Sequence, residues 1–399
     1  MINRLDYIEA LEPFIDKPLV KILAGVRRCG KSTIFEMLKE ELLRRGVSAD
    51  HVICKRYTEM DIPESITAKQ MYDELTAAML GKGHCYLLLD EIQEIDGWEK
   101  AVNSLLESTD ADIYVTGSNS KLMSGEISTY LTGRYVSIPV YTLSFKEYLA
   151  FKQDSPLSRR ELLEDYIRFG GFPLVALSEY DEQSAYQIVN GIYHTVVSRD
   201  IVKRHRINKQ DLFDRVVKYI IENMGKTFSA NSISTFLKSE HRKVSVESIY
   251  NYLRWLEQAF IIYPCERYDL QGKSILKTQE KYYLADVSLK YALLGYNRKM
   301  LDGAMENIVF LELKRRGYDV FIGKNDTKEI DFVATRRAER IYVQVCVRIP
   351  ETSDREVGNL MEIRDHYPKY VVTLNEMDTG IENGIKIVHL ADFLLAEAW

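Results

Sequence analysis

The sequence predicts an α/β protein built from three modules. A parallel sheet with covering helices occupies residues 1–150, a helical module ending in a hairpin occupies 151–285, and a second α/β module occupies 286–399. Three observations carry this reading. Short apolar runs alternate with helical stripes in the first third. Three helical stripes then precede two strand-like runs about Gly272. The last hundred or so residues return to strands interleaved with helices. At roughly 100–200 residues per domain, 399 residues accommodate two or three such units.

In the first module, residues 19–24 form a short apolar run ending before a glycine, and 31–45 place Ile34, Leu38, Leu42 and Leu43 on one helical side. Strands are expected at 51–57, 85–89, 112–115 and 135–141, with helices at 68–80 and 99–106. The run Tyr86-Leu87-Leu88-Leu89 is continuous rather than alternating, as in a parallel strand buried on both faces. Strands alternating with helices imply βαβ units.

In the second module, Leu212, Phe213, Val216, Val217, Ile220 and Ile221 make a helical stripe. Ser229 is placed to cap a helix carrying Ile233, Phe236 and Leu237. Ser245 is placed to cap one carrying Ile249, Leu253, Leu256 and Phe260. Strands at 260–268 and 274–284 follow, and three helices before a hairpin is the order of a winged helix. In the third module a helix at 304–316 precedes strands at 318–322, 329–334 and 340–347. A helix near 354–365 and strands at 370–374 and 385–390 complete it.

Composition excludes several classes. The chain is 46% hydrophobic and 28% charged, ordinary for a globular protein. No apolar run approaches the ~18–20 residues of a membrane span, and Arg4, Asp6 and Glu9 leave no apolar core for a signal peptide. The five cysteines are scattered at no metal-ligand spacing, which suits a reducing cytoplasm. Net charge is −6, yet residues 199–281 carry sixteen Lys and Arg against ten Asp and Glu. That +6 segment is where double-stranded DNA is expected to bind. Ser245, Ser248, Asn251 and Arg254 lie off the apolar face of the expected recognition helix, and Lys273 is expected on the wing. Partner contact through a protein surface is the alternative, and no motif fixes an oligomeric state.

The strongest chemical signal is GVRRCGKST, which fits G-x-x-x-x-G-K-[ST] between an apolar strand and a helix. Gly25, Val26, Arg27, Arg28, Cys29, Gly30, Lys31, Ser32 and Thr33 would cradle the phosphates of ATP with backbone N–H groups and the helix N-terminus. Lys31 would reach the β- and γ-phosphates, and Ser32 would ligate Mg²⁺. YLLLDE at 86–91 ends a buried strand in two acids: Asp90 for the metal, Glu91 for the attacking water. IYVTGSNS at 113–120 offers Ser118 or Asn119 as a γ-phosphate sensor, with Asn119 taken as the catalytic candidate. Arg134 is the candidate for transition-state charge, in its own subunit or a neighbour's.

These motifs, with FGGFP at 169–173, resemble a family of bacterial and archaeal AAA+-like ATPases that carry a C-terminal restriction-endonuclease-like domain. SRDI at 198–201, GKSILKTQEKYYLAD at 272–286, ENIVFLELKRRGYDV at 306–320 and EIDFVA at 329–334 extend the resemblance over nearly the whole chain. It implies ATP binding and hydrolysis, a winged-helix middle and a nuclease-like end. An active member of the PD-(D/E)xK superfamily needs carboxylates and a lysine around a divalent metal. Glu306 and Asp331 match two places, but the third reads Gln344-Val345-Cys346, so the expectation is an inactive nuclease fold. The leading reading is a cytoplasmic Mg²⁺-dependent ATPase whose nucleotide state is coupled to the winged helix and the degenerate nuclease-like domain. The alternatives are an ATP-switched DNA-binding regulator and, disfavoured by Gln344 and Cys346, an ATP-dependent nuclease. A small-molecule kinase is disfavoured because Glu91 suits hydrolysis.

Overall fold

The computed structural model describes residues 4–58, 66–123, 130–131, 133–177, 179–207, 209–239, 241–242, 244–350 and 355–399. They form two compact units. The first is Met1–Val140 with Gln258–Phe260, and the second is Tyr141–Glu257 with Ile261–Trp399.

The first unit holds five strands, β1 (Val20–Ala24), β2 (Val52–Arg56), β3 (Cys85–Asp90), β4 (Ala111–Gly117) and β5 (Tyr135–Pro139). Their order is β2-β3-β4-β1-β5, and every pairing is parallel. Parallel neighbours need crossover connections, supplied here by α2 (Lys31–Arg44), α3 (Ala68–Met79) and α4 (Trp98–Ser108), while α1 (Leu5–Leu11) precedes the sheet. β3 is buried along its whole length, as its apolar run requires. α2 buries Ile34, Phe35, Leu38 and Leu42, whereas Leu43, expected on that side, is exposed. α3 starts at a capping box in which Thr67 and Gln70 satisfy each other's backbone N–H. One buried ion pair interrupts the apolar strands. Lys21 in β1 is fully buried, bonded to Asp112 of β4, and Asp112 also accepts the Tyr114 hydroxyl at 2.7 Å. Burial there is tolerated because the ammonium is both paired and hydrogen-bonded.

The second unit opens with α5 (Phe145–Phe151), α6 (Arg159–Phe169) and α7 (Glu182–Thr195), the last continuing into a π-helical stretch, Val196–Val202, that contains SRDI. α8 (Gln210–Glu222), α9 (Ala230–Ser239) and α10 (Val246–Gln258) follow the predicted stripes, except that Phe236 is exposed on α9 and Phe260 lies beyond the end of α10. They precede the hairpin β6 (Ile262–Asp269) and β7 (Ser274–Leu284). Then come α11 (Ser288–Leu294), α12 (Leu301–Arg315), β8 (Asp319–Asn325), β9 (Lys328–Arg336), β10 (Glu339–Cys346), α13 (Arg355–Met361), β11 (Lys369–Thr373), β12 (Gly380–Glu382), β13 (Ile385–His389) and α14 (Leu390–Leu395). The helix expected near 354–365 is shorter than its pattern, and Asp354 lies outside the described residues.

The hairpin does not stand alone as a wing. The second sheet runs β12-β13-β11-β10-β9-β8-β6-β7, with β6 parallel to β8 through Arg267 and Ile322. A boundary at 285 therefore cuts between strands of one sheet. The physical reason is that β6 has an unpaired edge that β8 satisfies. Further pins tie the pieces together. Asn307 of α12 exchanges both amide hydrogen bonds with Leu284 of β7, at 2.6 and 2.9 Å. The buried Asp286 accepts the Gly171 N–H at 2.8 Å. A Cβ at Gly170, where φ is +72°, would come within 1.8 Å of the Asp286 carboxylate, so glycine is required.

Candidate functional site

The predicted phosphate loop lies between the carboxyl end of β1 and the start of α2, where ligands bind in open α/β sheets. Its first glycine is dictated by packing. Ala24 O accepts the Val140 N–H at 2.8 Å, and a Cβ at Gly25 would sit 2.0 Å from the Val140 carbonyl oxygen. Gly30 caps α2 at φ +104°. Val26, Arg27 and Cys29 are buried, while Arg28 and Thr33 are exposed. Burial pushes the Cys29 thiol pKa up, against the opposing pull of Lys31, so it is no thiolate nucleophile. The buried Lys31 ammonium donates to the loop's own carbonyls, Gly25 O at 3.0 Å and Val26 O at 3.3 Å. It stands 3.7 Å from Glu91.

The two acids at the end of β3 take separate partners. Asp90 Oδ2 accepts the Ser32 hydroxyl at 2.7 Å and the Arg56 Nε at 3.0 Å, and its other oxygen accepts the Thr116 hydroxyl. Glu91 turns away through a left-handed backbone, φ +54°, its N–H bonded to Thr116 Oγ1 at 3.0 Å. Such a conformation in a non-glycine residue persists only where its surroundings hold it. Its carboxylate accepts the Ser118 hydroxyl at 3.1 Å and the Gln93 amide. Burial alone would raise its pKa, but the Lys31 and Arg27 charges and these hydrogen bonds outweigh it and hold the group below the ordinary 4.5.

This donor set fits Mg²⁺ and a polyphosphate. Ser32 and Asp90 present hard oxygens in contact with each other, as Mg²⁺ prefers.

The comparisons agree with that geometry. A family described as an AAA domain matches residues 17–149, and a domain of unknown function (DUF8612) matches 160–299. An uncharacterized protein of Haemophilus influenzae is 37% identical over 400 residues, covering 99% of both chains. The chain belongs to the family of that protein, with an AAA domain matched in its first unit. MJ1544 of Methanocaldococcus jannaschii, also uncharacterized, is 32% identical over 85% of this chain and 77% of its own. The Walker-type ATPase PABY2304 of Pyrococcus abyssi shares the fold at 15% identity and TM-score 0.52, over 73% of this chain and 96% of that one.

The structure places two further predicted residues at opposite ends of the sheet. Asn119 is buried just beyond β4, its carbonyl accepting the Leu122 N–H at 3.1 Å. Arg134 does not serve its own subunit's site, the first of the two places expected for it. Its carbonyl accepts the Val20 N–H at the start of β1, the edge of the sheet opposite the phosphate loop. Its guanidinium bonds Asn103 at 2.9 Å and Glu107 on α4. In its own subunit Arg134 anchors a helix and does not reach the loop. Arg27 turns toward Glu94, 3.9 Å away.

In the second unit the structure brings Glu306 and Asp331 together, with an unforeseen cation. Lys281 of β7, counted above among candidate DNA contacts, has a side chain only 5% exposed. It lies 2.9 Å from Glu329, 3.4 Å from Glu306 and 4.0 Å from Asp331. Burial opposes its charge, yet the three acids outweigh burial and raise its pKa. Glu306 is pushed up to about 8 by burial and by the Asp331 charge, against Lys281. Gln344 spends its amide on the Asp331 N–H at 2.6 Å and on Glu356 at 2.8 Å. A cavity of about 450 Å³ adjoins, lined by Asp302, Glu306, Asp331, Cys346, Arg355 and Glu356.

Sequence reasoning missed Thr116, Gln93, Arg56 and Arg4 around the loop. The buried Arg4 donates to the Cys29 carbonyl at 2.7 Å from twenty-five residues away, where no local pattern signals it. Thr116 was legible in principle, since β4 lies beside β3 and its end carries hydroxyls.

Proposed function

We propose that the chain is a Mg²⁺-dependent ATPase, with Lys31, Ser32, Asp90 and Glu91 as its working side chains. One observation carries this reading: the adjacent acids Asp90 and Glu91 are divided between two tasks. Asp90 is joined to the loop hydroxyl Ser32, whereas Glu91 is held apart by Ser118 and Gln93 as an ionised base. Mg²⁺, when bound, would neutralise charge on the transferring phosphoryl oxygens. Lys31 would exchange its loop carbonyls for phosphate oxygens. Glu91 would orient a water and accept its proton, and Asn119 is our candidate for the polar sensor of the β4 end. The test is ATPase activity of the purified chain beside Lys31→Ala, which removes the ammonium. Lys31→Ala is expected to abolish tight ATP binding. A wild-type chain that neither binds nor hydrolyses ATP would overturn the proposal.

A second reading, in which nucleotide state regulates binding to double-stranded DNA by the second unit, is favoured by the solvent face of α10. Tyr250 is 58% exposed there, one turn from Arg254, whose guanidinium bonds Asn251 at 2.7 Å. Of the basic segment, Lys281 is withdrawn into the acid cluster, and Asn208, Glu240 and Lys243 lie outside the described residues. Duplex binding followed by fluorescence anisotropy is expected to weaken steeply with salt and to fall in Arg254→Ala. Absence of binding at low salt removes this reading. For the C-terminal module we favour a nuclease-like fold without cleavage activity, on the substitutions Gln344 and Cys346 and on the internal cation Lys281.

A further inference from the structure

Arg56 is the last residue of β2 and lies directly opposite Asp90 in the parallel register. Its Nε donates to the same Asp90 oxygen, Oδ2, that accepts the Ser32 hydroxyl. Donor hydroxyl, acidic acceptor and guanidinium thus converge on one atom. The Asp90 side chain is 6% exposed, but that of Arg56 is 42% exposed, so the guanidinium sits at the mouth of the site rather than in its floor. Two of the other arginines expected to serve the site are turned elsewhere. Arg134 is on the opposite edge of the sheet, and Arg27 faces Glu94.

A divalent cation held by Ser32 and Asp90 would stand within a few ångströms of Arg56, and the two like charges repel. Arg56 must then leave Asp90 or weaken metal binding. A nucleotide triphosphate arriving with the metal brings new negative charge to this edge. A guanidinium presents planar paired donors that match a phosphate group.

We propose that Arg56 contacts the terminal phosphate of ATP, resting on Asp90 when no nucleotide is bound and transferring to the γ-phosphate when Mg²⁺ and ATP arrive. This rests on the nucleotide reading above and assigns to Arg56, in the chain's own site, the charge-stabilising role that Arg134 cannot reach. The contact exists only with a triphosphate, so it distinguishes ATP from ADP before any hydrolysis.

The test is equilibrium titration of the full chain with fluorescent ATP and ADP analogues in Mg²⁺, comparing wild type, Arg56→Ala and Arg56→Lys. Charge-assisted hydrogen bonds of this kind set the expected size. Arg56→Ala should bind the ATP analogue roughly tenfold to a hundredfold more weakly while ADP affinity stays unchanged. Arg56→Lys should recover part of the loss. Turnover should fall in the same order. Equal weakening of both nucleotides, or tighter binding of both because a competitor of Mg²⁺ has gone, would overturn the assignment while leaving the ATPase reading intact. If the wild-type chain binds neither nucleotide, both fall together.

Discussion

Glu91→Gln is expected to lower the turnover of ATP by roughly 10²–10⁴ while leaving ATP affinity unchanged. The amide is nearly isosteric and can still accept from Ser118, so the loop and the Asp90–Ser32 pair are undisturbed. What is lost is the proton acceptor. Because Lys31 and Arg27 hold the carboxylate below the ordinary 4.5, wild-type Glu91 is fully ionised near neutrality. Protonation of Glu91 should therefore limit the rate only below that value, and the profile from pH 6 to 8 should be flat with respect to this group. Single-turnover hydrolysis, measured beside nucleotide binding, separates the two steps. Wild-type turnover in Glu91→Gln would remove Glu91 from the water-activating role. The low pKa also sets the manner of action. A weak base so well solvated by donors polarises water as phosphoryl transfer proceeds; it does not deprotonate it beforehand.

The nucleotide site was legible because its signals are local. A glycine loop between strand and helix, and two acids ending an apolar run, each occupy fewer than ten consecutive residues. The fold then had one place for them, since parallel strands deliver their carboxyl ends to one edge. Arg134 shows where that reasoning stops. It precedes a strand rather than following one, and in a parallel sheet that places it on the far edge, beside Val20. Strand direction alone was enough to see this. Arg56 illustrates the converse: it ends a strand, on the correct edge, yet an arginine closing a short strand resembles any solvated charge.

The second unit was less legible for a different reason. A period-two pattern marks a strand but not its neighbour, so β6 and β7 read as a free hairpin although β6 continues the sheet through β8. The family segments FGGFP and YYLAD also carry no chemistry in the sequence. In the structure they are the two halves of one contact, the Asp286 carboxylate against the Gly170–Gly171 backbone. A buried carboxyl of this kind requires its hydrogen bonds, and the glycines are what allow the backbone to approach it.

Lys281→Met should destabilise the second unit by about 3–5 kcal/mol, the loss expected when one partner of a buried ion pair is removed. Lys281 of β7 stands within 4.0 Å of Glu306, Glu329 and Asp331, and without it these acids lose the ammonium they share. The pH dependence gives the effect its signature. Burial and Asp331 raise Glu306 to about 8, whereas in the unfolded chain it titrates near the ordinary 4.5. Between those values the folded form binds more protons than the unfolded form, so this group favours folding more as pH falls from 8 toward 4.5. Removing the ammonium raises the acids further and steepens that slope, so Lys281→Met should lose more stability at pH 8.5 than at pH 6. Urea unfolding followed at Trp255 and Trp399 measures it. Glu306→Gln in the Lys281→Met background should restore part of the loss, since it removes the acid most opposed by burial. A pH-independent loss, or none, would mean that the lysine contributes packing alone. The acids would then be balanced by other groups, with Arg355 and Arg348 at the cavity wall the first to examine.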